Sequence, residues 1–182
     1  ERVHAAYHPV RGWAHIPGIT IKDMYGKDKR LTVNSQGFRS ETDIRHDVEK
    51  NKVRILFLGD SFTLGFGVAQ DETFCSLIPQ KDTSLETVNL GQGGYAIDQM
   101  YLWYKEIMDT FTYDIVVLSY IDLDILRMNS RAFLGYGKPF VKVENGMLKT
   151  HNVPVPHYGY SLFRKLSDFF QGLSIHRLLN NL

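Results

Sequence analysis

The sequence predicts an α/β fold in which helices cover both faces of a mainly parallel sheet. Three short apolar runs, at residues 53–58, 85–90 and 114–119, are typical of strands buried on both faces. Helical stretches at 71–78 and 96–111 separate them. Because strands that alternate with helices pair in parallel through right-handed crossovers, we expect a three-layer α/β/α sandwich.

Size and composition fit one globular domain and narrow the function classes. The chain has 182 residues and a net charge of +1, so charge gives no reason to expect a nucleic-acid partner or an acidic membrane surface. The single cysteine, Cys75, excludes an internal disulfide and lies in an apolar stretch typical of a buried thiol. No cysteine or histidine cluster suggests a metal site, so we expect neither a metal nor a cofactor.

The first part of the chain differs from the rest. Residues 1–52 are rich in turn formers and predict a lead-in that packs on the domain, and residues 40–52 form a charged linker. The domain itself is assigned to residues 53–182. The chain starts at Glu1 and ends at Leu182 within a helix-like pattern, so we expect a piece of a longer protein. Its compartment stays open, cytoplasmic or exported, and a membrane anchor outside this chain is compatible with the sequence.

The order of elements after residue 53 follows from local signals. The first strand leads into a helix over 71–78, which we expect Pro79 to end. The second strand is followed by a tight glycine-rich loop at 91–94 and then by the helix over 96–111, whose apolar residues recur at spacings of three and four. Asn145-Gly146 predicts the turn of a hairpin inserted near 138–150, and apolar spacing over 162–173 predicts a last helix.

Unusual residues follow all three strands, at the edge of the sheet where open α/β folds bind ligands. They are Gly59-Asp60-Ser61, the segment 89–94 and the segment 120–124. A serine directly after a buried strand carries its hydroxyl at the rim of the sheet. Gly94 would let a backbone N–H approach a developing oxyanion without a side chain in the way. The alternative role for Ser61 is a helix N-cap, which serines often fill.

These segments resemble the sequence blocks of SGNH (GDSL-type) serine hydrolases. Gly59-Asp60-Ser61-Phe62-Thr63-Leu64-Gly65 is similar to the first block, Asn89 to Tyr95 with Gln99 to the second, and Asp114 to Tyr120 to the strand before the third. The upstream Asn34 to Arg39 is similar to a lead-in common in bacterial members.

The resemblance implies a flavodoxin-like fold and an ester hydrolase that works through an acyl-enzyme. Ser61 would be the nucleophile, Ser61 and Gly94 would form the oxyanion hole, and Asp60, Asn89 and Asp124 would support the site. The substrates it implies are small esters or acylated carbohydrates.

Two departures from the family pattern matter. Leu123 stands where the third block has an asparagine that donates to the oxyanion, and leucine has no donor. No D-x-x-H, the family's source of the catalytic base, follows Asp124. Asp43-Ile44-Arg45-His46 fits those letters but precedes the nucleophile, so we interpret it as a chance match. The downstream histidines lack the matching aspartate; they are His151, His157 and His176.

We therefore expect the base to lie beyond Leu182 and this chain alone to have little or no activity. Three other interpretations stay open. A sugar hydroxyl in place of water would make the protein a carbohydrate O-acyltransferase. The leucine at 123 would also suit a degenerate module that binds without turnover. Nucleotide binding is the weakest interpretation, because Gly91-x-Gly93-Gly94 is not a full G-x-G-x-x-G.

Overall fold

A computed structural model describes residues 3–133 and 135–157 of the chain. The N-terminal part contains two small antiparallel pairs. Strand β1 (Ala5–His8) pairs with β2 (Gly12–His15), and β3 (Thr20–Ile21) pairs with β4 (Leu31–Thr32).

The centre of the fold is a three-stranded parallel sheet. It consists of β5 (Val53–Gly59), β6 (Leu85–Gly91) and β7 (Ile115–Ser119), in the order β6-β5-β7. The three predicted strands are confirmed in position and in parallel pairing, each within one residue of its expected bounds. The expected burial on both faces is wrong for β7, where Ile115, Val116 and Leu118 are exposed within the described residues. Because β5 is in the middle, its carboxyl end lies between those of β6 and β7.

Four helices accompany the sheet within the described residues. They are α1 (Ser61–Leu64), α2 (Phe74–Lys81), α3 (Ile97–Ile107) and α4 (Asp122–Arg127). The chain therefore has a mixed α/β fold built on a parallel sheet.

Helix α2 corrects the prediction that Pro79 ends a helix over 71–78. The helix begins three residues later, at Phe74, and runs through Pro79 to Lys81. Proline has no N–H with which to bond the carbonyl four residues earlier. That carbonyl, of Cys75, instead accepts a hydrogen bond from the hydroxyl of Thr87 on β6. A contact with the neighbouring strand thus lets the helix continue.

Two further hairpins follow α4. Strands β8 (Ala132–Phe133) and β9 (Tyr136–Gly137) form a short pair, and β10 (Phe140–Glu144) pairs antiparallel with β11 (Met147–His151). The second is the hairpin expected near 138–150, and both turn residues, Asn145 and Gly146, have the positive φ that such turns need. The helix predicted over 162–173 lies outside the described residues.

The main core lies between the sheet, α3 and the N-terminal hairpin. Its buried residues include Leu56, Leu90, Tyr95, Met100 and Trp103, with Trp13 and Phe38 from the lead-in. On α3, Met100 is buried as expected, but Tyr101 and Tyr104 of the predicted apolar stripe are half-buried. They line a groove with Val116 and Leu118 of β7, which are both exposed. None of the described helices is long and apolar enough to cross a membrane.

Candidate functional site

Ser61 begins α1 directly after the central strand. β5 ends at Gly59, and the side chain of Asp60 accepts a hydrogen bond from the backbone N–H of Phe62 at 2.9 Å. Asp60 is therefore the N-cap, and the alternative that Ser61 fills this role is wrong. Because the capping function belongs to its neighbour, the Ser61 hydroxyl is not needed to start the helix.

Helix α1 lies directly on the ends of the strands. A Cβ atom on Gly91 would come within 2.0 Å of the Leu64 nitrogen, so only glycine allows this approach. The buried side chain of Asn89 donates to the Thr63 carbonyl at 2.9 Å and accepts from the Gly91 N–H at 2.9 Å. Asn89 therefore fixes α1 against β6 and does not line the pocket described next.

Ser61 and Gly94 line the same pocket, which has a volume of about 170 Å³. A cavity of about 150 Å³ holds a molecule the size of benzene, so this pocket suits a small substituent. Its wall comes from three parts of the chain: the N-terminal hairpin, the strand-end loops, and the segment from α4 to β9. The lining residues are His4, Ala5, Trp13, Ser61, Leu64, Phe66, Gln92, Gly93, Gly94, Arg127, Phe133 and Tyr136.

An aromatic wall covers Gly94. This glycine has a φ of +77°, and a Cβ atom there would lie 2.3 Å from Cε1 of Phe133. The Phe133 ring stacks on Trp13, with centroids 5.9 Å apart, and Trp13 donates through Nε1 to the Gly93 carbonyl at 3.0 Å. The absence of a side chain at 94 therefore allows a ring to pack over the loop that carries the expected oxyanion donor.

The third strand end reaches the pocket through a different residue from those expected. The 120–124 segment does not line the pocket, and Leu123 is 52% exposed. Asp124 is buried and accepts hydrogen bonds from the Ile121 N–H at 3.0 Å and from Arg127 Nη1 at 2.5 Å. Arg127 then presents its guanidinium to the pocket, one helical turn after Leu123.

The two buried carboxylates of this region share Arg127. Its Nη1 lies 3.7 Å from Oδ2 of Asp60, an oxygen that accepts no hydrogen bond in the described part of the chain. Burial raises the pKa of Asp124, and the nearby Asp60 carboxylate raises it further, whereas the Ile121 N–H and Arg127 oppose the shift. Asp60 and Asp124 therefore support the loop and Arg127, and neither lines the pocket.

Sequence reasoning did not identify three polar residues of this pocket: His4, Gln92 and Arg127. Gln92 is 1% exposed, and its Oε1 has no hydrogen-bond partner among the described residues. Its place after Gly91 was a usable signal. Arg127 had no such signal, because Leu123, its neighbour one helical turn earlier, does not line the pocket. Nothing local marks His4, which lies 57 positions before Ser61 and reaches the pocket through the folding of the N-terminal hairpin.

Among the histidines named from the sequence, His46, His151 and His157 do not line this pocket. Asp43 accepts from Ser35, while His46 contacts Asp47 at 2.8 Å, so Asp43 and His46 do not form a pair. His151 lies 2.8 Å from Glu144 and stacks on Phe140. His157 packs on Tyr7, and His176 is outside the described residues.

The described residues include no cluster of three or more His, Cys, Asp or Glu side chains that could hold a metal ion. A comparison with models of known protein families gave no match, and a search of curated proteins gave none either.

Proposed function

We propose that this chain belongs to a serine ester hydrolase of the SGNH type, in which Ser61 forms an acyl-enzyme. One observation carries the proposal: Ser61, directly after the central parallel strand, lines a small pocket together with Gly94 from the loop after the neighbouring strand. Sheet edges of this kind are where α/β proteins bind their ligands. The three-layer sandwich of that family, completed around the three-stranded sheet, is part of the same proposal.

The chemistry follows from these positions. The Ser61 hydroxyl oxygen bonds to the ester carbonyl carbon, its proton passes to an imidazole base, and the carbonyl π electrons move to the oxygen. Backbone N–H groups of Ser61 and Gly94 stabilise that oxyanion. Collapse breaks the bond to the alcohol, which leaves with the proton, and water then releases the acyl group by the same steps.

The imidazole has two candidate sources. The family resemblance implies a late D-x-x-H, and the pocket itself contains His4. His4 is buried in the wall of the pocket, on the hairpin side. A positioned base contributes about 100–10,000-fold to the rate, so the two sources are separable by mutation.

Pocket size supports small acyl groups over long lipid chains. A volume of about 170 Å³ exceeds only slightly a cavity that holds benzene, and aromatic rings bound it on the side of Gly94. Esters with two to four acyl carbons are therefore the first substrates to test.

The test is a Ser61→Ala variant of the full-length gene product. We expect the wild-type protein to hydrolyse p-nitrophenyl acetate and to be labelled on Ser61 by a fluorophosphonate. We expect Ser61→Ala to lose both signals and to keep its circular dichroism spectrum. Ser84→Ala, in an exposed turn after α2, is the matched control and should keep full activity. Unchanged turnover in Ser61→Ala would remove Ser61 from the nucleophile role.

A second candidate function is a binding module without turnover. The exposed, donor-free Leu123 favours it, because losing one oxyanion donor costs about 100–1000-fold in rate. This candidate predicts that the pocket binds a small acylated sugar, measurable by calorimetry, while no ester is cleaved and no label reaches Ser61.

A further inference from the structure

We infer that Arg127 supplies the side-chain donor of the oxyanion hole, an inference that rests on the proposed hydrolase function. A developing oxyanion needs donors that are already in place when its charge appears. Among the described residues that line the Ser61 pocket, Arg127 carries the only permanent positive charge. Leu123, one turn earlier on the same helix, provides no donor and is exposed.

The guanidinium lies near groups that flank both residues carrying the backbone donors. Its Nη1 is 3.7 Å from the carboxylate of Asp60, the residue immediately before Ser61. Its Cζ lies 5.1 Å from the centroid of the Phe133 ring, and that ring packs on Gly94. Arg127 therefore lines the same pocket as Ser61 and Gly94, and it contacts a group next to each of them.

One nitrogen of the Arg127 guanidinium is bonded to the protein, and the other two are available to a ligand. Nη1 donates to Asp124, which is itself fully buried and fixed by the Ile121 N–H. Cζ also lies over the Phe133 ring, 5.1 Å from its centroid, within the range of a cation–π contact. Within the described residues, neither Nε nor Nη2 makes a hydrogen bond. The Nε and Nη2 nitrogens thus remain to donate to a ligand atom, on a guanidinium that the bond to Asp124 holds in place.

The local charge favours this role over that of an anchor for an anionic substrate. Two carboxylates, Asp60 and Asp124, lie within 4 Å of one guanidinium. The cluster therefore has no excess positive charge with which to attract a carboxylate from solution. Directed N–H donors still stabilise a charge that forms at one atom within the pocket.

In the reaction, Arg127 exchanges no proton and forms no covalent bond. The Ser61 oxygen bonds to the carbonyl carbon, the serine proton passes to the imidazole base, and the carbonyl π pair moves to oxygen. An Arg127 N–H then donates to that oxygen, alongside the N–H groups of Ser61 and Gly94. When the carbonyl reforms and the alcohol leaves with the proton, the hydrogen bond weakens again.

The experiment compares Arg127→Ala with Arg131→Gln in the full-length protein. Arg131 is the matched control because its guanidinium lies over Phe140, 3.6 Å from the ring centroid, and does not line the pocket. With p-nitrophenyl acetate, a neutral ester, we expect Arg127→Ala to lower kcat by about 100–1000-fold with little change in KM. Millimolar methylguanidinium should restore part of that loss, but not in Arg127→Ala combined with Ser61→Ala.

Removing Arg127 leaves the Asp124 carboxylate buried without its partner, which destabilises the fold of Arg127→Ala. A second comparison removes the carboxylate from both of its members. The first member is the single variant Asp124→Asn, and the second is the double variant Asp124→Asn with Arg127→Met. The second member of this pair should have the lower kcat, by a similar factor.

Three results would overturn the inference. The first is an unchanged kcat for the neutral ester in both Arg127 variants. The second is a loss confined to an ester that carries a carboxylate, such as a succinate monoester, which would make Arg127 a substrate anchor. The third is the absence of any Ser61-dependent turnover in the wild-type protein, which would overturn the proposed function and this inference together.

Discussion

Gly94 combines a positive φ of 77° with a close approach to the ring of Phe133. The first feature makes any other L-residue strained, and the second leaves no room for a side chain. From the sequence we expected this glycine after a strand, with no side chain to prevent its N–H from approaching an oxyanion. In the structure, the space beside this glycine is bounded by a ring from a segment about forty residues later in the chain.

We predict that Gly94→Ala lowers both stability and esterase activity. The backbone strain costs about 1–3 kcal/mol, and displacement of Phe133 disturbs the wall of the pocket. Urea unfolding and p-nitrophenyl acetate hydrolysis measure the two effects. Gly67→Ala isolates the strain alone, because Gly67 has a φ of +89° and no atom lies within 4 Å of the place a Cβ would occupy. Equal stability and equal activity of the two variants would contradict a role for the contact with Phe133.

Which site residues the sequence could predict depends on how local their signal is. Ser61 and Gly94 lie within short motifs at strand ends, and the resemblance of those motifs to the family's sequence blocks identified both as candidates. Arg127 and His4 reach the pocket through packing between distant segments, and no spacing rule relates position 4 to position 61. Leu123 was correctly identified as lacking a donor, but its exposure could not be predicted without the orientation of α4.

At the scale of elements, the positions of the three parallel strands were predicted well from their apolar runs. Their burial was not, because Ile115, Val116 and Leu118 of β7 are exposed within the described residues. Helix ends were predicted less well. The helix at 71–78 was expected to stop at Pro79, but the hydroxyl of Thr87 satisfies the carbonyl of Cys75, and the helix continues to Lys81. The compensating group lies on another element, so the local proline rule failed where tertiary contact replaced the missing bond.

The hairpin β1–β2 carries a histidine that makes the fold sensitive to acid. The pKa of His15 is lowered from 6.5 to about 3, mainly by burial; electrostatic repulsion from His4, Arg11 and Arg39 acts in the same direction, and a hydrogen bond to the Gly37 carbonyl opposes the shift. The unfolded chain therefore binds a proton between these pH values that the folded protein does not bind. The contribution to stability is complete above pH 6.5 and is lost as the pH falls toward 3.

We predict that the free energy of unfolding falls by about 1.4 kcal/mol for each pH unit below 6.5, through His15 alone. Urea titrations between pH 7 and pH 4 measure the slope. His15→Phe keeps an aromatic ring without the titrating group, and it should flatten the curve relative to wild type. His46→Phe is the control, because His46 is an exposed histidine and its loss should leave the slope unchanged. Identical slopes in wild type and His15→Phe would contradict this assignment.

At the scale of the whole molecule, the pocket depends on segments that meet only in the folded state. Lys138 and Asp98 form a buried ion pair, with Nζ at 2.8 and 2.7 Å from the two carboxylate oxygens, and this pair ties the end of β9 to α3. Tyr136 donates to the Ala5 carbonyl at 3.2 Å, which joins the same segment to β1. The aromatic wall is therefore positioned from both sides, by contacts that no local pattern in the sequence indicates.

The last prediction concerns the source of the base. We expect the 182-residue chain alone to hydrolyse p-nitrophenyl acetate weakly or not at all, because the resemblance implies a late D-x-x-H and none follows Asp124.

His151 and His157 lie away from the pocket, so changing either to alanine should leave any residual rate within about twofold, compared with the 100–10,000-fold contribution of a base. In a longer product of the gene that carries such a motif, turnover should be higher, and the pH–rate profile should then show the base. His4→Asn is the decisive variant, since His4 lines the pocket. Robust Ser61-dependent turnover of the 182-residue chain that disappears in His4→Asn would identify the N-terminal hairpin as the source of the base and contradict this prediction.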